Sequence, residues 1–225
     1  MTTPPGDAAA LTRIQANWLA RHERRLLIWL CSKMPASVTP DRLTALGMVG
    51  AFLVFVGYVA SNLSSFWLLL TLAGYAVQWF GDSMDGSLAR FRKIERPSYG
   101  YFIDHSCDGL ANLMIVAGIG LSPFVTMDVA MVALAGYLLM SVHAFLSARV
   151  TGELRLSYVA AGPTELRLML IGMTVAMLIV GPGRDHIGPV PAFDTFVGAI
   201  AAILITLFVV QTAIIGRRLA VLEKR

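Results

Sequence analysis

Apolar residues in this chain come in long unbroken blocks, not in the one-faced or alternating patterns of a soluble fold. Six blocks, 41–61, 66–90, 99–121, 125–149, 165–182 and 194–216, are near the length of a bilayer-crossing helix, about 20 residues. Residues 11–34, "LTRIQANWLARHERRLLIWLCSKM", break that pattern. There Leu11, Ile14 and Trp18, then Leu26, Trp29 and Leu30, are interleaved with Arg21, Arg24 and Arg25. This predicts an amphipathic helix in the membrane interface, tryptophans at headgroup level and arginines toward anionic lipid; the alternative is a helix packed on the bundle. "VTPDRLT" then announces the first span, with Thr39 as N-cap and Pro40 at the first helical position. The first ten residues read as a disordered tail. Short connections and the lack of a repeat predict one domain over 11–225. The expected architecture is an all-α integral membrane protein, with six transmembrane helices in a 41–216 bundle after the amphipathic helix.

Composition agrees. With 56% hydrophobic and 14% charged residues and a mean hydropathy of +0.69, the chain lacks the polar surface a soluble domain needs. The two cysteines, Cys31 and Cys107, make neither a disulfide framework nor a metal-binding spacing. No secretory leader is read, and no nucleic-acid partner is expected. The net charge of +4 is modest, so the placement of charge matters more than its sum. Of the 18 Lys and Arg, all but Arg184 fall in segments on one side of the six blocks. The positive-inside rule puts that side, and both termini, in the cytoplasm; in a bacterium the membrane is the inner one.

Against this background four aspartates stand out in "GDSMDGSLARFRKIERPSYGYFIDHSCDGL", Gly81 to Leu110. A carboxylate facing lipid costs about 2.5–3.5 kcal/mol near a helix centre, so these side chains must face protein or water. Asp82 and Asp85 are three apart and Asp104 and Asp108 four apart, which puts each pair on one helix face. At about 1.5 Å per residue, Asp85 and Asp104 lie roughly 8 Å inside the cytoplasmic ends of their helices, and Asp82 and Asp108 roughly 12–15 Å. Antiparallel neighbours would bring the four together. Such an all-oxygen cluster calls for a hard divalent cation such as Mg²⁺ or Mn²⁺, with room for two ions. Gly81, Ser83, Gly86, Ser87 and Ala89 keep the surroundings small, and Arg90, one turn from Gly86, could hold a phosphate. Together these features suggest chemistry on a phosphoanhydride.

These residues resemble the signature of the CDP-alcohol phosphotransferase family, D-x-x-D-G-x-x-A-R, a spacer, then G-x-x-x-D-x-x-x-D. Asp82, Asp85, Gly86, Ala89, Arg90, Gly100, Asp104 and Asp108 occupy the fixed positions. The chain departs from it in two places. Phe91–Tyr99 makes a nine-residue spacer where seven or eight is usual, and "PDRLT" has Asp41 where relatives often carry Asn. The resemblance implies transfer of a phospho-alcohol group from a CDP-linked donor to an acceptor hydroxyl with release of CMP, one partner being a lipid and the other a small alcohol. It implies Asp82, Asp85 and Asp104 as metal ligands, and Asp108 completing the site as general base. Gly86, Ala89, Arg90 and Gly100 would line the CDP pocket, Gly100 by allowing close approach on the facing helix. It also implies a homodimer.

His105, beside Asp104, is a second candidate base, or only a neighbour. His143 in an apolar helix reads as hydrogen-bonded structure. Pro163 and Thr164 can open the fifth span, where Glu165 reads as a cap. Arg149, at the cytoplasmic end of the fourth span, is a candidate acceptor-binding residue. "DHSCDG" and "GPTE" are also similar to the choline and ethanolamine phosphotransferase branch. A phosphorylated acceptor needs cations near the metals; beyond Arg90 only Arg149, Arg155 and Arg167 are available, and all three serve topology. The sequence thus leans toward an amino-alcohol or neutral acceptor. Two other classes fit the sequence less well. A diphosphate-using prenyltransferase would carry two acid motifs half a chain apart, and a cation transporter would show repeated halves; neither pattern is present.

Overall fold

The computed structural model describes residues 18–151, 163–183, 186–187 and 190–223. The proposed tail, residues 11–17, Arg155 and Arg184 lie outside the described residues. Among the described residues seven helices follow in order: α1 Trp18–Lys33, α2 Pro40–Ala60, α3 Leu68–Arg92, α4 Pro97–Leu121, α5 Met127–Thr151, α6 Pro163–Val180 and α7 Ala192–Leu222. A 3-10 turn at Ser65–Trp67 precedes α3, and His186–Ile187 pairs antiparallel with Val190–Pro191 before α7. The six apolar blocks are therefore helices, with ends within two residues of those expected except that α7 runs on past 216 to Leu222. Three of them, Pro40–Ala60, Met127–Val150 and Ala192–Leu222, are long and apolar enough to cross a membrane by composition alone.

Thr39 caps α2 as expected, its hydroxyl accepting from the Arg42 amide at 3.4 Å with Pro40 in the first turn. α2 packs closely on α3 because glycines meet at their crossing. A Cβ on Gly81 would stand 2.6 Å from the Gly47 Cα and would crowd the Leu43 carbonyl. Backbone on the far side cannot move aside as a side chain can. Gly81→Val should therefore lower the melting temperature in detergent by many degrees, or abolish the monodisperse protein, since Asp82 rides on this contact. Gly100 behaves differently. A Cβ there meets nothing within 4 Å, so Gly100→Ala should leave the melting temperature unchanged. The close helix approach expected at Gly100 is not present, because the residue lies in the exposed first turn of α4.

Against α2 and α3, α4 packs on α2 and α5 on α4, while α7 pairs with α5 and α6 packs chiefly on α3. One core joins six helices at the end remote from the aspartates: Tyr58, Tyr75, Ile115, Ile119, Ala130, Met173, Met177, Phe193 and Val197 are among its buried members. Within it the Tyr58 hydroxyl bonds Thr174 at 2.7 Å and Tyr75 at 3.2 Å, tying α2, α3 and α6 together. α7 buries only Phe193, Val197 and Ala201, all in its first third. The bundle is closed at one end and loosely joined at the other, where the aspartates lie.

α1 corrects one detail of the sequence reading. Its packed face is Leu27 and Cys31 with Leu30 partly buried, set against Leu43, Met84 and Leu88. Leu26 and Trp29, expected on the apolar side with Leu30, are exposed together with Ile28. Residues 27, 30 and 31 share a face at helical spacing, whereas 26 and 29 turn away. The packed alternative thus holds along one stripe, and burial pushes the Cys31 thiol above its usual range, as befits an inert packing residue. At the far end of α3, Arg92 donates to the carbonyls of Met34, Pro35 and Val38 at 2.6–3.0 Å, fixing the α1–α2 connection.

Candidate active site

α3 and α4 each present their acids at helical spacing, and the structure brings all four together. Asp82, Asp85, Asp104 and Asp108 line one narrow cleft with Thr44, Gly47, Met48, Gln78, Cys107 and Ala111, with a cavity volume of only about 10 Å³. Asp82 and Asp108 stand within hydrogen-bonding reach of one another. Thr44 on α2 donates to Asp85 Oδ2 at 2.6 Å, so a third helix holds the site. Asp104, His105 and Asp108 each offer a ligand atom within 4.8 Å of the others. Among the described residues, neither Asp85 nor Asp108 has an ion-pair partner. Gathered carboxylates of this kind repel one another and suit a hard divalent cation. The Asp104–His105–Asp108 group could therefore hold a metal ion.

A family model for CDP-alcohol phosphatidyltransferase matches residues 37–222, which include the whole cleft. The chain belongs to the CDP-alcohol phosphatidyltransferase family. Among curated proteins, the archaetidylinositol phosphate synthase of Pyrococcus horikoshii is 33% identical over 115 residues, covering 48% of this chain and 60% of that relative's length. The family's aspartate signature is thus placed on α3 and α4, both of which pack on α2.

The remaining signature residues, Gly86, Ala89, Arg90 and Gly100, do not line the cleft. Arg90 is exposed and folds back along its own helix, donating to Ser87 Oγ at 3.4 Å. Its guanidinium lies over Gly86, where a Cβ would come within 3.3 Å of it. Ala89 is partly buried beside it. The longer spacer is spent in the end of α3, the loop after Lys93 (φ 56°) and the start of α4. Arg96 in that loop pairs with Asp41 and lies 4.1 Å over the Tyr99 ring. Asp41, where relatives often have Asn, is thus engaged by a cation from the spacer.

His105 sits beside the cleft without lining it. Its Nδ1 is 3.3 Å from Asp104 Oδ2, and its ring packs on Tyr101 and Phe145 at centroid distances of 4.3 and 5.0 Å. Its Nε2 is buried without a hydrogen-bond partner. His143 is structural as expected, bonded to Ser147 and Thr212 at 3.2 Å. Arg149 is exposed in the last turn of α5 and does not line the cleft, because α5 pairs with α7 and not with α3.

Arg167 is the residue that sequence reasoning undervalued. From the second turn of α6 it donates Nη2 to Asp82 Oδ2 at 2.8 Å, with its side chain only 14% exposed. A largely buried cation paired with an aspartate of the cluster differs from a cation serving topology alone, which lies in headgroups. Its position at the cytoplasmic end of a span was the available signal, and it did not distinguish the two roles.

Proposed function

We propose that this protein is a phospholipid-synthesising enzyme that transfers a phospho-alcohol group from a CDP-linked donor to an acceptor hydroxyl and releases CMP. The convergence of all four signature aspartates on one cleft, in a chain of this family, is the observation that carries the reading. The acceptor oxygen attacks the donor phosphorus bearing the alcohol. A new P–O bond forms, the anhydride P–O bond breaks, and CMP departs with the bond's electrons. Asp82, Asp85 and Asp104 would hold two Mg²⁺ or Mn²⁺ ions with Asp108 completing the set; such ions supply charge stabilisation at the phosphate oxygens. Asp108 takes the acceptor's proton. His105 is less suited, since one nitrogen is committed to Asp104 and the other is enclosed. Gly86, Ala89, Arg90 and Gly100 form the open rim where the nucleotide binds, and exposed Gly100 leaves space there for a ligand.

We further read α2 to α7 as six spans, with the cleft, both termini and α1 at the cytoplasmic face, and the working unit as a homodimer. The exposed stripe of Arg24, Arg25, Leu26 and Trp29 on α1 suits a headgroup layer.

The place of Arg167 reverses the sequence's lean on the acceptor. Only one of its donor groups is engaged by Asp82, and a guanidinium carries five N–H donors. It can therefore hold an anion beside the acids. A lipid CDP donor with a phosphorylated alcohol acceptor is the favoured direction, and the name of the archaeal relative supports it. Arg167→Ala should raise the KM for a phosphorylated acceptor such as inositol phosphate by about ten- to a hundredfold. Steady-state kinetics with CDP-diacylglycerol or an archaeal CDP-lipid checks this. An unchanged KM, or robust use of diacylglycerol with a CDP-amino-alcohol, would restore the opposite direction.

A further inference from the structure

Glu23 is an acid on a helix whose neighbouring charges, Arg24 and Arg25, are basic and exposed. It turns inward. Its Oε1 accepts from Trp79 Nε1 at 2.8 Å and from Ser83 Oγ at 3.5 Å, both on α3, while Oε2 accepts from Thr164 Oγ1 at 3.2 Å, on α6. One carboxylate thus joins α3 to the first turn of α6. The Arg167–Asp82 pair joins the same two helices immediately beside it, since Ser83 adjoins Asp82 and Thr164 lies one turn before Arg167.

We propose that Glu23 is a positioning residue, a latch through which α1 holds the outer end of α6 so that Arg167 faces the acid cleft. α6 is already pinned deep in the bundle by Thr174, which is fully buried and bonded to Tyr58 at 2.7 Å. Thr164 lies roughly 15 Å along the helix from that pin and Arg167 roughly 10 Å. Freed at Thr164, α6 becomes a lever that moves Arg167 by a large part of the displacement at its tip. A misplacement of about 1 Å is enough to weaken a positioned contact by an order of magnitude or more. Glu23 touches neither substrate nor metal ligand; it acts through α6.

This inference rests on the reading of Arg167 as an anion-holding residue, and two measurements keep the two apart. The first is hydrogen exchange across α6 in the full-length protein. Glu23→Ala should speed exchange in the first turns, residues 164–170, and leave 174–180 unchanged. Glu23→Gln, which keeps an acceptor for α3 and an amide for Thr164, should exchange like the parent. The second is the acceptor KM for inositol phosphate in Glu23→Ala, Glu23→Gln, Arg167→Ala and the Glu23→Ala/Arg167→Ala double variant. Glu23→Ala should raise KM about tenfold with kcat little changed, Glu23→Gln should stay near the parent, and the double variant should be no worse than Arg167→Ala. Unchanged exchange in Glu23→Ala overturns the latch whatever the kinetics. So do multiplying effects in the double variant, or a Glu23→Gln as impaired as Glu23→Ala. If α6 loosens as expected but Arg167→Ala leaves KM unaltered, the latch stands and the anion-holding role of Arg167 falls.

Discussion

Asp82→Asn, Asp85→Asn and Asp104→Asn should each reduce CMP release by on the order of a thousandfold while the protein still inserts and folds. The expectation follows from where these carboxylates sit. They line one cleft on two helices, and amide substitution keeps their volume while removing the negative charge that a hard cation needs. Packing should not suffer, because the helix contact beside Asp82 is made by Gly81 and Gly47. Asp82→Asn also weakens the anchor of Arg167, so it should additionally impair use of the acceptor. Activity assays beside size-exclusion profiles separate lost chemistry from lost folding. Near-parental turnover in any of the three would remove that residue from the metal set.

Asp108→Asn should lower kcat by about 10²–10⁴-fold with the donor KM changed only a few-fold, the pattern of a lost transition-state contribution. His105→Ala is the companion variant. Its ring is buttressed by Tyr101 and Phe145, and its Nδ1 is committed to Asp104. Its loss should therefore disturb Asp104 and raise the metal concentration needed for half-maximal activity, with kcat at saturating metal reduced less than about tenfold. If instead His105→Ala shows the larger loss of kcat at saturating metal and Asp108→Asn the smaller, the two roles exchange.

Features set by local spacing were legible in the sequence. The apolar blocks are helices, Thr39 caps α2, and the acids at spacings of three and four meet across a cleft that α3 and α4, both packed on α2, share with that helix. Contacts between distant segments were not legible. Arg167 and Asp82 are 85 residues apart and Glu23 and Thr164 are 141 apart; nothing in periodicity says which loosely packed helix a polar side chain will face. α1 was half legible for a related reason. Its apolar residues are numerous enough to supply more than one stripe, and only the shape of the α2–α3 surface selects Leu27 and Cys31 over Leu26 and Trp29. At Gly100 the close helix contact suggested by a signature glycine is not found, and Arg149 does not line the aspartate cleft. In the fold the one is open and the other lies on the helix pair away from α3.

The central claim is that the aspartate cleft performs metal-dependent transfer from a CDP-linked lipid, and following nucleotide and lipid together tests it most directly. Purified protein in lipid nanodiscs is given a radiolabelled CDP-lipid and inositol phosphate, with Mg²⁺ or Mn²⁺ present or chelated. The expected result is CMP and a phosphorylated lipid product in equal amounts. Both should be absent in EDTA, both restored by added metal, and both absent in Asp85→Asn under every condition. Transfer that persists undiminished in chelator, or that survives in Asp85→Asn, would contradict the account.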